Sequence, residues 1–419
     1  MSAQKLEITR LGGQGDGIAD TPTGQVFVPF TLPGDIVNAA VEKDRGTLMA
    51  LLEPSPDRTD PPCPHFGPDA DPGACGGCAV QHVSGDAYRD WKRGLVVAAL
   101  ESRGIKTDVA PLVATEPHTR RRVVFAAKRT EAGLALGFNK SQSHEIVPVS
   151  TCVIATSRIN AALPALQRIA ASVAVSREAF KLTVLDTHSG FDLAVDAPFR
   201  LSETDRLQII AIMRKEAGMA RLAFNGEILI EKQPPQLDFG AVTVNPPPGG
   251  FVQASDAAEA VMGELVTGHL KKAKRVVDLF SGSGTFTLRL AEKSHVHAVE
   301  SDQPSLDALD RAARHAQGIK PVSIERRDLF RRPLMFSELK TYQGLCFDPP
   351  RAGAEAQARE IAKSVIPRIA AVSCNPVTLA RDLEILIAGG YRLLSVTPID
   401  QFLWSAHVEM VALLERPRR

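Results

Sequence analysis

Residues 276–286, VVDLFSGSGTF, decide the fold. The apolar β-like run VVDLF passes directly into the glycine-rich turn SGSG. A helical segment, TLRLAEK (287–293), and a second β-like run, VHAVES (296–301), follow. Strand, tight turn, helix and strand in succession form the unit of a doubly wound, mostly parallel sheet, and this alternation continues to the C-terminus. Such sheets bind ligands beyond the carboxyl ends of their strands, where glycines let the backbone approach closely. Glu300 stands at the tip of the second strand, sixteen residues after Gly284, suitably placed to accept hydrogen bonds from a ribose diol.

A GxGxxG run would mark a nicotinamide-dinucleotide site, but Gly282 and Gly284 are followed by Phe286 and Thr287, without the third glycine. The acidic strand tip combined with an incomplete dinucleotide fingerprint points to S-adenosylmethionine. Two further stretches narrow the chemistry. LCFDPPR (345–351) is an apolar strand ending in Asp348 and two rigid prolines, a polar lip above the sheet. A similar Asp-Pro-Pro-aromatic motif occurs in methyltransferases acting on exocyclic amines, so this stretch alone leaves N-methylation open. VSCNP (372–376) is another apolar strand ending in a polar turn, and it delivers the thiol of Cys374. Most cysteines are buried structural residues, and Cys346, inside its strand, belongs to the core. Cys374 differs because it sits where a strand ends, beside the expected cofactor pocket.

At 419 residues the chain exceeds one ordinary core, and two or three domains are expected. Hydrophobic residues at 44% and charged residues at 23% fit a globular, water-soluble protein. No apolar run is long enough to span a bilayer, and MSAQKLEITR lacks the apolar region of a signal peptide. A cytoplasmic protein with no membrane partner is expected. The net charge of +1 says nothing about nucleic acid, but its distribution is uneven. Residues 1–57 carry four basic and eight acidic side chains, a net of −4, whereas residues 89–140 carry eleven basic and five acidic ones, a net of +6. The basic stretch contains Arg120, Arg121 and Arg122, followed by Lys128, Arg129 and Lys140. A charge run is often only a solvated face, but this one is read as contacting RNA phosphates.

The N-terminal segment alternates short β-like runs with turns: KLEITRL, the glycine-rich GGQGDGIAD, QVFVPF, LPGD and IVNAAVEK. That spacing suggests a small all-β barrel. The Pro-rich stretch 54–64 reads as a linker. Residues 86–103 read as a helix with Tyr88, Trp91, Leu95 and Val96 on one stripe. The middle mixes β-like runs (VVFAAKR, LALGFN, KLTVLDT, FDLAVDA, RLAFNGEILIEK) with helical stretches at 159–170 and 204–217, an α+β pattern.

The chain holds six cysteines. A reducing cytoplasm disfavours structural disulfides, so a cluster of them points to metal or catalysis. Cys63, Cys75, Cys78 and Cys152 supply four thiolates, and CGGC sits among glycines with no apolar face. Four soft thiolates suit either structural zinc or a [4Fe–4S] cluster, and the spacing barely separates the two.

Taken together, these pieces resemble the RNA uridine-5 methyltransferase family, in particular its large-subunit ribosomal RNA members. Phe251–Val252–Gln253, Asp278 to Gly282, Asp348–Pro349–Pro350–Arg351, Ser373–Cys374–Asn375–Pro376 and His407–Val408–Glu409 match in order and spacing. Cys63–Pro64–His65–Phe66 with Cys75–Gly76–Gly77–Cys78 and Gln81–His82 resemble the family's iron–sulfur segment, and the N-terminal segment resembles a TRAM domain, an OB-like barrel. The resemblance covers nearly the whole chain. It implies three domains: a TRAM-like OB barrel (1–57), a central α+β domain with the cysteine cluster and an RNA-binding face (58–244), and a Rossmann-like class I methyltransferase domain (245–419).

Family roles carried onto matching positions make Cys374 the nucleophile and Glu409 the base. Gln253, Phe280, Thr285, Glu300, Asp328 and Asp348 become contacts to S-adenosylmethionine, with Thr285 and Asp328 standing where the family usually carries Asn. Cys63, Cys75, Cys78 and Cys152 become ligands of a [4Fe–4S] cluster, although GPDADPGA (67–74) lengthens the loop between the first two. A longer loop still closes at modest entropic cost. The implied substrate is RNA, ribosomal rather than transfer RNA because barrel and quartet occur together, and a monomer is expected. The chemistry agrees with these roles. Carbon 5 of uracil is a weak nucleophile until a thiolate adds at C6, and a carboxylate must later remove the C5 proton. A target base in folded RNA must first leave its stack. Amine methylation would need no thiol, and a non-enzymatic RNA-binding iron–sulfur protein would need no cofactor pocket.

Overall fold

The structure is a computed structural model and describes residues 2–71 and 73–417; Pro72, in the loop between Cys63 and Cys75, lies outside them. Strands β1 (Ser2–Glu7), β2 (Arg10–Leu11), β3 (Gly17–Thr21), β4 (Gly24–Val28), β5 (Ile36–Glu42) and β6 (Arg45–Glu53) form a six-stranded sheet in the order β1-β5-β6-β4-β3-β2. Alternate residues Leu6, Ile8, Ala19, Val26, Val28, Val37 and Ala39 point inward and make its core, as period-two patterning requires. The glycine-rich segment 12–20, read above as a turn, ends in β3. Gly17 has no room for a side chain, because a Cβ there would lie 2.1 Å from the Thr31 hydroxyl.

The Pro-rich stretch 54–64 is irregular but pinned. Buried Asp35 accepts hydrogen bonds from the backbone N–H groups of Leu32 and Ser55, both at 2.9 Å, and pairs with the Arg58 guanidinium. Helix α1 (Gly85–Glu101) follows.

The central sheet contains β7 (Arg122–Thr130), β8 (Gly133–Asn139), β9 (Ile146–Pro148), β10 (Phe180–Thr187), β11 (Gly190–Asp196), β12 (Met219–Phe224) and β13 (Glu227–Glu231) in the order β13-β12-β11-β10-β7-β8-β9. Helices α2 (Ser157–Val173) and α3 (Glu203–Lys215) cover it through Ile159, Leu163, Leu166, Ile169, Ile209 and Met213. Thr156 caps α2, and Ser202 with Asp205 forms a capping box on α3. A hairpin, β14 (Leu237–Phe239) and β15 (Val242–Val244), leads into the last region.

There α4 (Asp256–Leu270), β16 (Arg275–Leu279), α5 (Thr287–Ala291), β17 (His295–Glu300), α6 (Gln303–His315), β18 (Val322–Arg326), β19 (Gly344–Phe347), α7 (Glu355–Lys363), β20 (Arg368–Ser373), α8 (Pro376–Ala388), β21 (Arg392–Ile399) and β22 (Glu409–Glu415) build a doubly wound sheet, ordered β18-β17-β16-β19-β20-β22-β21. Its strands are parallel except β22, which runs antiparallel to both neighbours. The central strands are buried on both faces, so they read as continuous apolar runs rather than alternating ones. Helix α1, although early in the chain, joins α7 and α8 on this sheet through Val96, Ala99 and Leu100. Among the described residues no helix is long and apolar enough to cross a membrane.

Candidate active site

Strand register gathers the site. Leu279 pairs with Val299 on one side and Phe347 on the other, and Phe347 pairs with Ala371. Phe280, Glu300, Asp348 and Cys374 therefore leave the sheet along one carboxyl edge, at or just beyond the strand ends. Ser373 pairs with Met410 across the antiparallel β20–β22 ladder, so one further step brings Cys374 and Glu409 side by side.

The turn after β16 is tightly wound. Phe280 has a φ of 60°, unusual for a bulky side chain, and its ring meets that of Phe330 at 5.5 Å. Asp328 steadies Phe330 by accepting hydrogen bonds from the backbone N–H groups of Phe330 at 3.0 Å and Arg331 at 3.3 Å. The Gly282 N–H donates to Glu300 at 3.0 Å, while the other Glu300 oxygen accepts from the N–H groups of Ser301 and Asp302 at 2.6 and 3.0 Å. Gly282 faces open space, as the ligand-approach argument expects. Gly284 does not: a Cβ there would sit 2.5 Å from Leu309, so α6 is what requires that glycine. Thr285 is half-buried in the same turn.

This cradle holds unpartnered polar atoms: one oxygen of Asp278 and the hydroxyls of Ser281 and Ser283 are buried without a hydrogen bond. Such groups are costly unless something pairs them. Thr287 donates to the other Asp278 oxygen at 2.6 Å. Burial, aided by the charges of Asp348 and Glu300, still pushes Asp278 up to about 7.

Asp348 and Glu409 are also driven upward, first by burial, with the Asp348 charge adding to the effect on Glu409. Gln253 and Gln401 oppose this by donating hydrogen bonds to Asp348 at 3.0 Å and to Glu409 at 3.0 Å. The Cys374 thiol is raised to about 11 by burial and then by Glu409 and Asp348, while Arg351 pulls it down. Arg351 in turn lies 3.3 Å from the His407 ring nitrogen. A half-buried thiol, a buried carboxylate beside it and a polar cradle next door suit nucleophilic addition coupled to proton transfer. Cys346 is fully buried in the core, as the sequence reading has it.

The sequence reading passed over the segment leading to Glu409. The buried Lys92 ammonium donates to Asp400 at 2.8 Å, to the Phe402 carbonyl at 2.9 Å and to the His407 carbonyl, while the Tyr88 hydroxyl donates to Asp400 at 2.6 Å. These contacts span about three hundred residues of sequence and carry no local pattern. The polar pair Asp400–Gln401 at the end of an apolar strand is the one available signal.

The four cysteines line a single cavity of about 250 Å³ with His65, Arg120, Phe402 and His407. Gly76 packs so closely on the loop after β8 that a Cβ would fall 2.6 Å from the Ser141 nitrogen, which accounts for the first glycine of CGGC. Burial raises the thiols of Cys75 to about 11 and Cys78 to about 12, and Cys152 in the same direction. Among the described residues no three His, Cys, Asp or Glu side chains are grouped so as to hold a metal ion.

Arg121, at the centre of the basic run, does not lie on a solvated face. Arg121 is 4% exposed and bonds to Glu259 at 2.6 Å and to the Gln253 carbonyl at 3.1 Å, with Asp256 as a further partner. Arg289 holds the other Glu259 oxygen at 2.8 Å. Arg120 lies over the Phe402 ring in the cysteine cavity. Arg129 donates to carbonyls at the end of α2, and Lys140 pairs with Glu145. The reading of Arg120–Arg122 as phosphate contacts is thereby corrected for Arg121: an alternating strand-edge sequence sent it inward, where a buried acid awaited it.

A family model described as tRNA (Uracil-5-)-methyltransferase matches residues 203–417, and a TRAM domain model matches residues 2–48. The chain belongs to the tRNA (uracil-5-)-methyltransferase family. It is an RNA methyltransferase with an N-terminal TRAM domain. An uncharacterized RNA methyltransferase of Rhizobium meliloti is 54% identical, covering 99% of this chain and 100% of the relative. A 23S rRNA (uracil(1939)-C(5))-methyltransferase of Shewanella woodyi is 30% identical over 98% of this chain and 95% of its own length. The crystal structure of a Pyrococcus abyssi tRNA (uracil-54, C5)-methyltransferase in complex with S-adenosyl-L-homocysteine superposes with a TM-score of 0.76 at 21% identity, covering 98% and 99% of the two chains. This likeness extends the shared fold over almost the full length.

Proposed function

We propose that this family member methylates carbon 5 of a uridine in RNA, using S-adenosylmethionine, through covalent addition of Cys374 to C6. The observation that carries the reading is the adjacency of Cys374 and Glu409 across the β20–β22 ladder, beside the acidic cradle. S-adenosylmethionine, when bound, supplies an electrophilic methyl group. Its cradle would be Gln253, Phe280, Thr285, Glu300, Asp328 and Asp348, and the unpaired Asp278, Ser281 and Ser283 atoms suit a polar ligand there. The Cys374 thiol must lose its proton to add at C6, and that addition makes C5 electron-rich. Once C5 has taken the methyl group, with S-adenosylhomocysteine as the departing product, Glu409 takes the C5 proton, the C5=C6 double bond re-forms and the C6–S bond breaks, returning the thiolate. Arg351 helps by favouring the thiolate form.

Cys63, Cys75, Cys78 and Cys152 form a donor set that fits a [4Fe–4S] cluster, with a structural or RNA-shaping role because the reaction moves no electrons. The four thiols line one cavity and follow the order of the family's iron–sulfur segment, and that order is what favours the cluster over zinc. We divide the chain into working units at 1–57, 58–244 and 245–419. Ribosomal RNA is the favoured substrate over transfer RNA, because barrel and quartet occur together and the Shewanella relative aligns over 95% of its length.

The test is Glu409→Gln. Addition and methyl transfer continue, but release stalls, so a protein–RNA species carrying label from the cofactor should survive denaturing electrophoresis. Wild type should be trapped likewise by RNA containing 5-fluorouridine, and Cys374→Ala should give neither adduct nor product. Turnover by Cys374→Ala would make amine methylation the better reading. Mapping 5-methyluridine in ribosomal and transfer RNA of a deletion strain identifies the substrate.

A further inference from the structure

Gln401 belongs to none of the motifs that carry the family resemblance, yet it is 4% exposed and touches three parts of the site. We propose that Gln401 is a positioning residue for the proton-removal step, fixing the orientation of Glu409 and leaving one chosen carboxylate oxygen to receive the C5 proton. The proposal rests on the roles assigned above to Cys374 and Glu409.

The amide of Gln401 has one permitted orientation. Its Oε1 accepts from the Ala254 backbone N–H at 2.9 Å, so Nε2 must face the other way. The two Nε2 hydrogens go to Gln253 Oε1 at 2.8 Å and to Glu409 Oε2 at 3.0 Å. A flipped amide would oppose oxygen to oxygen at Gln253 and Glu409 and nitrogen to nitrogen at Ala254. Gln253 is fixed by the same logic, because its Nε2 donates to Asp348 Oδ2 at 3.0 Å and its Oε1 accepts from Gln401 at 2.8 Å, while Arg121 holds its backbone carbonyl at 3.1 Å. Two amides thus join two buried carboxylates in a single polarity, each acid receiving one donor.

The backbone beneath this relay is also anchored. Asp400 turns its side chain away from Gln401 and into the fully buried ion pair with Lys92, with Tyr88 on its second oxygen. The Asp400 N–H donates to the Val113 carbonyl at 2.9 Å. Gln401 therefore cannot drift, and Glu409 Oε2 stays engaged. Oε1 remains for chemistry: it takes the C5 hydrogen as a proton, the C–H electron pair becomes the C5=C6 double bond, and the C6–S pair leaves with Cys374. A hydrogen bond to the ionised carboxylate favours the form able to do this.

The test is Gln401→Met, which keeps the length of the side chain and removes the donor facing Glu409 without adding a charge. Single-turnover reactions with methyl-labelled cofactor and RNA separate label in the covalent adduct from label in released RNA. Methyl transfer into the adduct should stay near wild type, while release slows on the order of 10–100-fold, the range expected for losing a hydrogen bond to a charged group. The acid limb of the release rate should move to higher pH. The charged and titratable groups around Glu409 are Asp348, Cys374, Arg351 and His407, with Lys92–Asp400 behind, and the variant alters none of them. Should Gln401→Met fail to fold, Gln401→Leu carries the same measurement. If addition and release fall equally with an unchanged pH profile, or release is unaffected, the proposal is overturned. Failure of wild type to form any adduct with 5-fluorouridine RNA would instead overturn the Cys374–Glu409 reading beneath it.

Discussion

Replacing Arg121 by methionine should destabilise the protein without acting as the loss of an RNA contact. Arg121 and Glu259 have side chains 5% and 1% exposed and meet at 2.6 Å. Removing one partner of such a buried pair costs about 3–5 kcal/mol, because the other charge is left without compensation. Arg289 stays 2.8 Å from the second Glu259 oxygen, which puts the expectation at the lower end. At about 2–4 °C per kcal/mol, the figure for a 150–250-residue domain, a loss of about 3 kcal/mol lowers the thermal midpoint by roughly 6–12 °C. The double variant Arg121→Met/Glu259→Met removes both charges of the pair and should recover part of that loss; Arg289, which then lacks its Glu259 partner, keeps the recovery incomplete. Thermal unfolding of wild type, both single variants and the double variant reads this coupling directly. The salt dependence of RNA binding, measured below the melting range, should keep its wild-type slope. A wild-type melting point together with a salt slope flattened by about one unit would show Arg121 on a phosphate and refute the reasoning.

Three other outcomes are expected. Iodoacetamide labelling of Cys374 should be slow at pH 7 and rise towards a midpoint of about 11, and Glu409→Gln should lower that midpoint by removing a nearby negative charge; an unchanged or raised midpoint contradicts the assigned cause. Asp278 titrates at about 7 in the folded chain, above its unfolded value, so its contribution is complete below the unfolded value and is lost as pH rises through 7. Stability of the cofactor-free protein should therefore decline between about pH 4 and 7, and Asp278→Asn should flatten that decline in melts across the range. Anaerobically purified protein should be brown with about four irons per chain, and Cys78→Ala should impair solubility more than cofactor affinity; stoichiometric zinc without iron sinks the cluster assignment.

Local chemistry made much of this protein legible without a structure. Apolar runs ending in SGSG, DPP and SCNP announce a parallel sheet and its carboxyl edge, because strands buried on both faces cannot hide their composition and strand ends must carry polar turns. Cys346 could be sent to the core, and Cys374 to a strand end on the carboxyl edge, on position within their strands alone. Tertiary structure decided what depends on distant partners. Arg121 looked like part of a basic face until Glu259, 138 residues later, gave it a buried counter-charge. Gly284 is required by Leu309 on another helix, and β3 emerged from a glycine run because it pairs with β4, with Thr31 leaving Gly17 no room for a side chain. Gln401 is silent in the sequence, since its role rests on Ala254, Gln253 and Glu409 meeting around one amide. A sequence specifies periodicity and strand ends locally, but the orientation of a buried hydrogen bond or ion pair is fixed only when every partner has arrived.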